Sequence, residues 1–202
     1  MSDSFHIAVI DLETTGPDTE LDDIVEVGLL LCDQSLNIVD SFQRVISPTG
    51  QGMDRLLGND VVRSMHTESG LLAEVRLAAE AGLDHDAELA RAEADALALL
   101  DRAEAGILSF AGSGIDHFDL PILRRCMPRL VSRGRYWSVD VGSMRRLYRM
   151  ATGADLTPIN RSKPHRALDD CGIHLTEIRA YAEVFRDHHN TPTYELFGDT
   201  DV

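Results

Sequence analysis

Cysteine, lysine and long apolar runs are scarce in this chain of 202 residues, and each scarcity excludes something. Three cysteines, at 32, 126 and 171, make an odd number with no Cys-x-x-Cys spacing. That excludes a disulfide framework or thiolate metal site, and predicts small buried side chains in a reducing compartment. No apolar run approaches the roughly 20 residues needed to span a bilayer, so no membrane partner is expected. Residues Met1 to His6 lack the basic start and apolar core of an export signal, and a cytoplasmic protein is expected. Lysine occurs once, at 163, so arginine supplies 18 of the 19 basic residues.

What the chain does have is acid, with a net charge of −15. Such a balance argues against non-specific grip on long duplex DNA. The charge is unevenly spread. Residues 73–105 carry nine acids against three arginines, whereas 124–149 carry eight arginines against Asp140 alone. Two solvated helix faces would explain this, as would a phosphate-facing basic surface on an acidic body.

The length suits one domain. Residues 5–12 form a β-branched run ending in acids, which predicts a buried strand that delivers carboxylates at its C-terminal end. Thr14 to Asp18 reads as a turn, 24–32 as a second strand and 38–46 as a third, giving an antiparallel meander. Asn59 can cap a short helix to Met65, and further helices are expected over 71–81 and 86–104, the last rich in Ala, Leu and acids. A strand at 107–111, a helix at 120–126, a fifth strand at 136–141, and helices at 142–150 and 165–187 follow. The expected fold class is α/β, a mixed five-stranded sheet flanked by helices. Residues 1–188 would form the domain, with 189–202 a loosely ordered tail.

Three motifs carry chemistry. In Asp11-Leu12-Glu13 the carboxylates lie two apart on a strand and share a face. Two adjacent acids repel, and a bound Mg²⁺ or Mn²⁺ would offset this, although polar edge chemistry also explains such a pair. Asp119, in Phe118-Asp119-Leu120-Pro121, precedes a helix after the Gly112-Ser113-Gly114 loop. It can be a cap, or a third carboxylate facing the first two, and Asp116 is a rival for that role. In His165-Arg166-Ala167-Leu168-Asp169-Asp170, read as helical, His165 and Asp170 flank one end of the helix, while Asp169 would pair with His165.

Together these motifs resemble the DEDDh exonucleases of the ribonuclease H-like superfamily. Asp11-Leu12-Glu13-Thr14-Thr15-Gly16 fits the first motif, His117-Phe118-Asp119 the second, and His165 with Asp170 the third. Within that superfamily the chain is most similar to oligoribonucleases, through Met65-His66-Thr67-Glu68-Ser69-Gly70-Leu71, Met127-Pro128-Arg129-Leu130, and a final helix bearing Glu177, Arg179 and Tyr181. The resemblance spans about residues 5–187. It implies a ribonuclease H-like fold and a homodimer that cuts short single-stranded RNA or DNA from the 3′ end to nucleoside 5′-monophosphates. It also implies two divalent cations on Asp11, Glu13, Asp119 and Asp170, with His165 as base.

For substrate contact it points to His66, Ser113, Arg135, Tyr136 and Arg166. Other arginines of 124–149 and Lys163 are expected to hold phosphates. An aromatic near Tyr136 and Trp137 would reach the partner subunit's site, although both could equally be core residues on a strand.

Some residues depart from the oligoribonuclease pattern. Thr14 stands where methionine is usual, Pro17 where leucine is, and Gly142 where serine is. Val61 falls near a position where many members stack an aromatic on a base. These changes touch substrate grip rather than metal chemistry. They leave open a proofreading-type DNA exonuclease, which would use the same five residues. A non-catalytic module that kept the fold would have lost at least one of the five.

Overall fold

The longest strand, β1 (Ser4–Thr14), organises the molecule. The computed structural model describes residues 4–103, 106–156 and 164–188, so Lys163 and the expected tail 189–202 lie outside the described residues. Strand β1 pairs antiparallel with β2 (Ile24–Cys32), which pairs antiparallel with β3 (Ile38–Val45). On its other side β1 runs parallel to β4 (Gly106–Gly112), which meets β5 (Val139–Asp140), also parallel. The sheet order is β3-β2-β1-β4-β5, the mixed five-stranded arrangement expected from the sequence.

Alternation along β1 divides the core into two layers. Ala8, Ile10 and Leu12 face one layer, where they pack with Leu89, Ala92, Ala96 and Leu100 of α4 (His85–Leu100) and Leu120 and Leu123 of α5 (Asp119–Cys126). Ile7 and Val9 face the other, where α8 (Ala167–His188) buries Cys171, Leu175, Ile178 and Tyr181, spaced at helical intervals. Helix α7 (Val141–Thr152) completes that layer through Val141. Asp11 and Glu13 continue the register of Ile7 and Val9, and so point toward α8.

The remaining helices are α1 (Gly50–Gly58), α2 (Asp60–Glu68), α3 (Leu71–Glu80) and α6 (Pro128–Ser132). Asn59 caps α2 as expected, accepting from the Val61 and Val62 amides. Helices α1 and α6 are additions to the sequence reading. Helix α1 contains three glycines, which hide it from propensity, and it is held by capping: Thr49 accepts from Gly52 N, and Asp23 accepts from Thr49 N and Oγ1 at 2.8 and 2.7 Å.

Two boundaries correct the sequence reading. The fifth strand is Val139–Asp140 rather than 136–141, because Tyr136 and Trp137 leave the sheet and stack edge-to-face, 4.8 Å between centroids. The last helix starts at Ala167, not 165. His165 precedes it at φ 51°, the left-handed region that costs a non-glycine residue about 1–3 kcal/mol.

Charge pairing also differs from a free basic face. Arg129 meets Glu93, and Arg133 meets Asp101, so the basic segment pairs with the acidic one inside the chain. Glu93 is buried because it also accepts from the Arg129 and Leu130 amides at the start of α6.

Candidate active site

Strand β1 outruns its parallel neighbour. Pairing with β4 stops at Val9, whereas pairing with β2 continues through Asp11 and Glu13. Beyond that point the chain leaves β4 through the Ser113 loop and returns as α5. A gap therefore opens at the carboxyl end of the strands, where open α/β sheets bind ligands. The amide of Leu12 would lie unpaired at this gap, and Asp119 Oδ1 accepts from it at 3.1 Å. The sheet's own unmet backbone need thus fixes the second motif's carboxylate. Asp116, the rival, is exposed and accepts from Ser138 Oγ at 2.6 Å, away from the gap.

A cleft of about 370 Å³ occupies the gap. Asp11, Glu13, Asp119, His165 and Asp170 all line it, together with His66, Ser113 and an apolar wall of Leu12, Pro17, Val62, Met65 and Phe118. Glu13, His165 and Asp170 present ligand atoms within 4.8 Å of one another. Burial, and next to it the charge of Asp11, push the Asp119 carboxyl well above the usual carboxylate range. Acids gathered this way repel one another, and hard oxygen donors in such a set fit a divalent cation.

The first turn is built to hold Glu13 and Thr14. Thr15 Oγ1 accepts from Asp23 N at 3.0 Å and donates to Asp22 Oδ1 at 2.9 Å. His66 is almost wholly buried and its Nε2 donates to the Thr14 carbonyl at 2.9 Å. Burial holds its imidazole below the ordinary value, and Nδ1 stands 3.7 Å from Glu13 on the cleft wall. Ser113 is placed by Asp140, which accepts from Gly114 N at 3.1 Å and caps α7 through Ser143 N at 3.0 Å.

The third motif is held from beneath. Buried Glu26 accepts from Ala167 N at 2.8 Å and from Arg166 Nη2 at 2.7 Å, and Arg166 Nη1 reaches Glu74 at 2.7 Å. Gly28, opposite Asp11 on β2, lies against the Ala167–Leu168 peptide so closely that a Cβ there would stand 2.4 Å from it.

Arg166, expected at the substrate, is therefore a clamp on Glu26 and Glu74. Asp169, expected to pair with His165, is exposed and does not line the cleft. None of the eight arginines of 124–149 lines it either. Arg125 holds the Thr19 and Asp22 carbonyls, Arg145 holds Glu177, and Arg135 lies 6.0 Å from the Trp137 ring. Tyr136 is 90% exposed, outside the cleft.

One residue of this neighbourhood escaped the sequence reading. His174 is fully buried with Nε2 3.5 Å from Asp11 Oδ1. Its spacing of four from Asp170 on one helix places both on the same face, and would have revealed it.

No family model matches the chain. Among curated proteins it is 36% identical over 182 residues to an oligoribonuclease of Cutibacterium acnes, covering 87% of this chain and 83% of that one. It is 33% identical to an oligoribonuclease of Leifsonia xyli (92% and 86% covered) and 32% identical to one of Photorhabdus laumondii (92% and 98%). Among solved structures it is similar in fold to exonuclease I of Methylocaldum szegediense, with TM-score 0.58 and 18% identity, covering 88% of this chain and 40% of that one. A zinc-bound E. coli exonuclease I complex with single-stranded DNA gives TM-score 0.58 at 14% identity, covering 92% and 41%. The chain thus spans about two fifths of those longer structures.

Proposed function

The chain belongs to the oligoribonuclease family, and from that membership we propose the following reading of its site. The protein is a 3′→5′ exonuclease that hydrolyses short oligoribonucleotides. Asp11, Glu13, Asp119 and Asp170 are its cation ligands, and His165 is its general base. The observation that carries this assignment is the convergence of β1, α5 and α8 on one cleft, bringing four carboxylates and an imidazole together.

Two divalent cations, Mg²⁺ or Mn²⁺, would supply a nucleophile at neutral pH and neutralise the leaving oxygen. Glu13 and Asp170 hold their carboxylates toward His165, and Asp11 and Asp119 line the same cleft at the mouth of the β1–β4 gap. His165 accepts the proton of the attacking water, a task suited to an imidazole near neutral pH. Leu12, Pro17, Val62, Met65 and Phe118 offer the terminal nucleoside an apolar wall and exclude water from one side.

We read 1–188 as the catalytic domain, acting in the cytoplasm as a homodimer. The free cysteines favour a reducing compartment, and exposed Tyr136 and Trp137 favour a dimer contact. Among the described residues no helix is long and apolar enough to cross a membrane.

The test is to incubate the protein with 5′-labelled RNA and DNA of two to twenty nucleotides, with Mg²⁺ or Mn²⁺. Mononucleotide release from the 3′ end, fastest on the shortest RNA, is expected. Preference for longer DNA would favour the proofreading-type exonuclease that departures such as Thr14 leave open.

A further inference from the structure

Asp170, His174 and Glu177 stand at i, i+4 and i+7 on α8, along one face. Asp170 lines the cleft, and behind it His174 lies fully buried between two carboxylates. Nε2 is 3.5 Å from Asp11 Oδ1, and Nδ1 is 3.6 Å from Glu177 Oε2. Glu177 is held in turn by a forked pair of bonds from Arg145 of α7, at 2.9 and 2.6 Å. A row of four side chains, Arg145, Glu177, His174 and Asp11, thus runs from α7 through α8 to the central strand.

We propose that His174 is a positioning residue that fixes the rotation of the Asp11 carboxylate, directing its other oxygen into the cleft. The inference rests on the reading of Asp11 as a cation ligand. Packing alone does not call for a histidine here. Its apolar neighbours on the same helix, Cys171, Leu175 and Ile178, would accept leucine, and a buried polar ring costs free energy unless its nitrogens are used. Both nitrogens face carboxylates.

Asp11 also lacks a restraint on its β4 side, because the pairing of β1 with β4 stops at Val9. Contacts of 3.5–3.6 Å are ion-pair distances, long for hydrogen bonds, and contacts in catalytic sites are often long until the site is filled. Groups that orient a ligating side chain are worth about 10–100-fold in metal affinity.

The test measures Mn²⁺ binding calorimetrically on the full chain, alongside kcat and KM for a diribonucleotide at fixed Mn²⁺. His174→Leu should weaken Mn²⁺ about 10–100-fold and lower kcat with little change in KM. His174→Gln, whose amide nitrogen reaches the place of Nε2, should recover most of both. Wild-type Mn²⁺ affinity in His174→Leu overturns the proposal, as does failure of Gln to outperform Leu. If His174→Leu does not fold, Glu177→Gln carries the test, since it releases Nδ1: Mn²⁺ affinity several-fold weaker supports the proposal and unchanged affinity overturns it. Asp11→Asn separates the two readings. If it loses Mn²⁺ while His174→Leu does not, only the positioning role falls. If Asp11→Asn binds Mn²⁺ as well as wild type, the ligand assignment itself falls, and the proposal with it.

Discussion

Gly28→Ala adds one methyl group to the middle of β2, and its effect can be worked out before it is made. In an open strand, replacing glycine stabilises by about 0.5–1 kcal/mol, because the unfolded chain loses freedom. Here the added Cβ would lie 2.4 Å from both the Ala167 carbonyl carbon and the Leu168 amide nitrogen, where ordinary contact begins near 3.4 Å. Both partners are backbone, so neither can rotate away, and β2 must part from the start of α8 by about 1 Å. Overpacking of this kind costs about 1–3 kcal/mol, which outweighs the entropic gain. For a protein of this size it lowers Tm by on the order of 5 °C.

The displaced segment lies between His165 and Asp170, and a misplacement of about 1 Å at a reacting group costs about 10²-fold in rate. The assay is kcat/KM on a diribonucleotide together with thermal melting in metal-free buffer. A variant as active as wild type and equally or more stable would show that α8 is not seated on Gly28, and that His165 is not positioned from this strand.

Asp119→Asn should abolish activity yet melt higher than wild type in metal-free buffer at neutral pH. Because burial and Asp11 raise the folded-state carboxyl above its unfolded value, wild type loses stability as pH rises from about 3.8 through that raised value, so the gap should close on acidification. Glu177 has the opposite sign. Burial would raise its carboxyl, but bonds from His174 and Arg145 outweigh this and hold it at about 2. Wild type should therefore lose about 3 kcal/mol between pH 4.5 and 2 in urea melts, and Glu177→Gln should not. Arg166→Ala strands buried Glu26 and should cost about 3 kcal/mol, with kcat falling at constant KM as His165 loses its support. A raised KM at unchanged kcat would return Arg166 to the substrate.

The parts of this fold that follow a simple period were legible in the sequence. Strand β2 was read with its observed limits because its apolar run is bounded by Asp22-Asp23 and Asp33. Asp11 and Glu13 were read onto one face because a strand repeats every two residues. What escaped depends on tertiary contacts. Helix α1 relies on Asp23, twenty-six residues before Thr49, to hold its cap. The residues after His165 are helical and predict the same for it, while its left-handed backbone precedes a helix start held by Glu26 and seated on Gly28. The arginine run suggested a phosphate surface because neighbours in sequence were counted together. In space Arg129 and Arg133 meet acids from more than thirty residues away. Glycine inside β2 did carry a signal, since such glycines mark close backbone approach.

The bond from Leu12 N to Asp119 gives the site a built-in reporter. A carboxylate that binds a cation carries no amide proton of its own to report on it. Here one carboxylate is joined to a backbone amide proton whose nitrogen and proton resonances are directly observable. Any change in the charge or orientation of the Asp119 carboxylate alters the polarisation of that single N–H. An isotope-labelled sample therefore carries, at residue 12, a nuclear magnetic resonance signal that follows filling of the cleft in the absence of substrate and turnover.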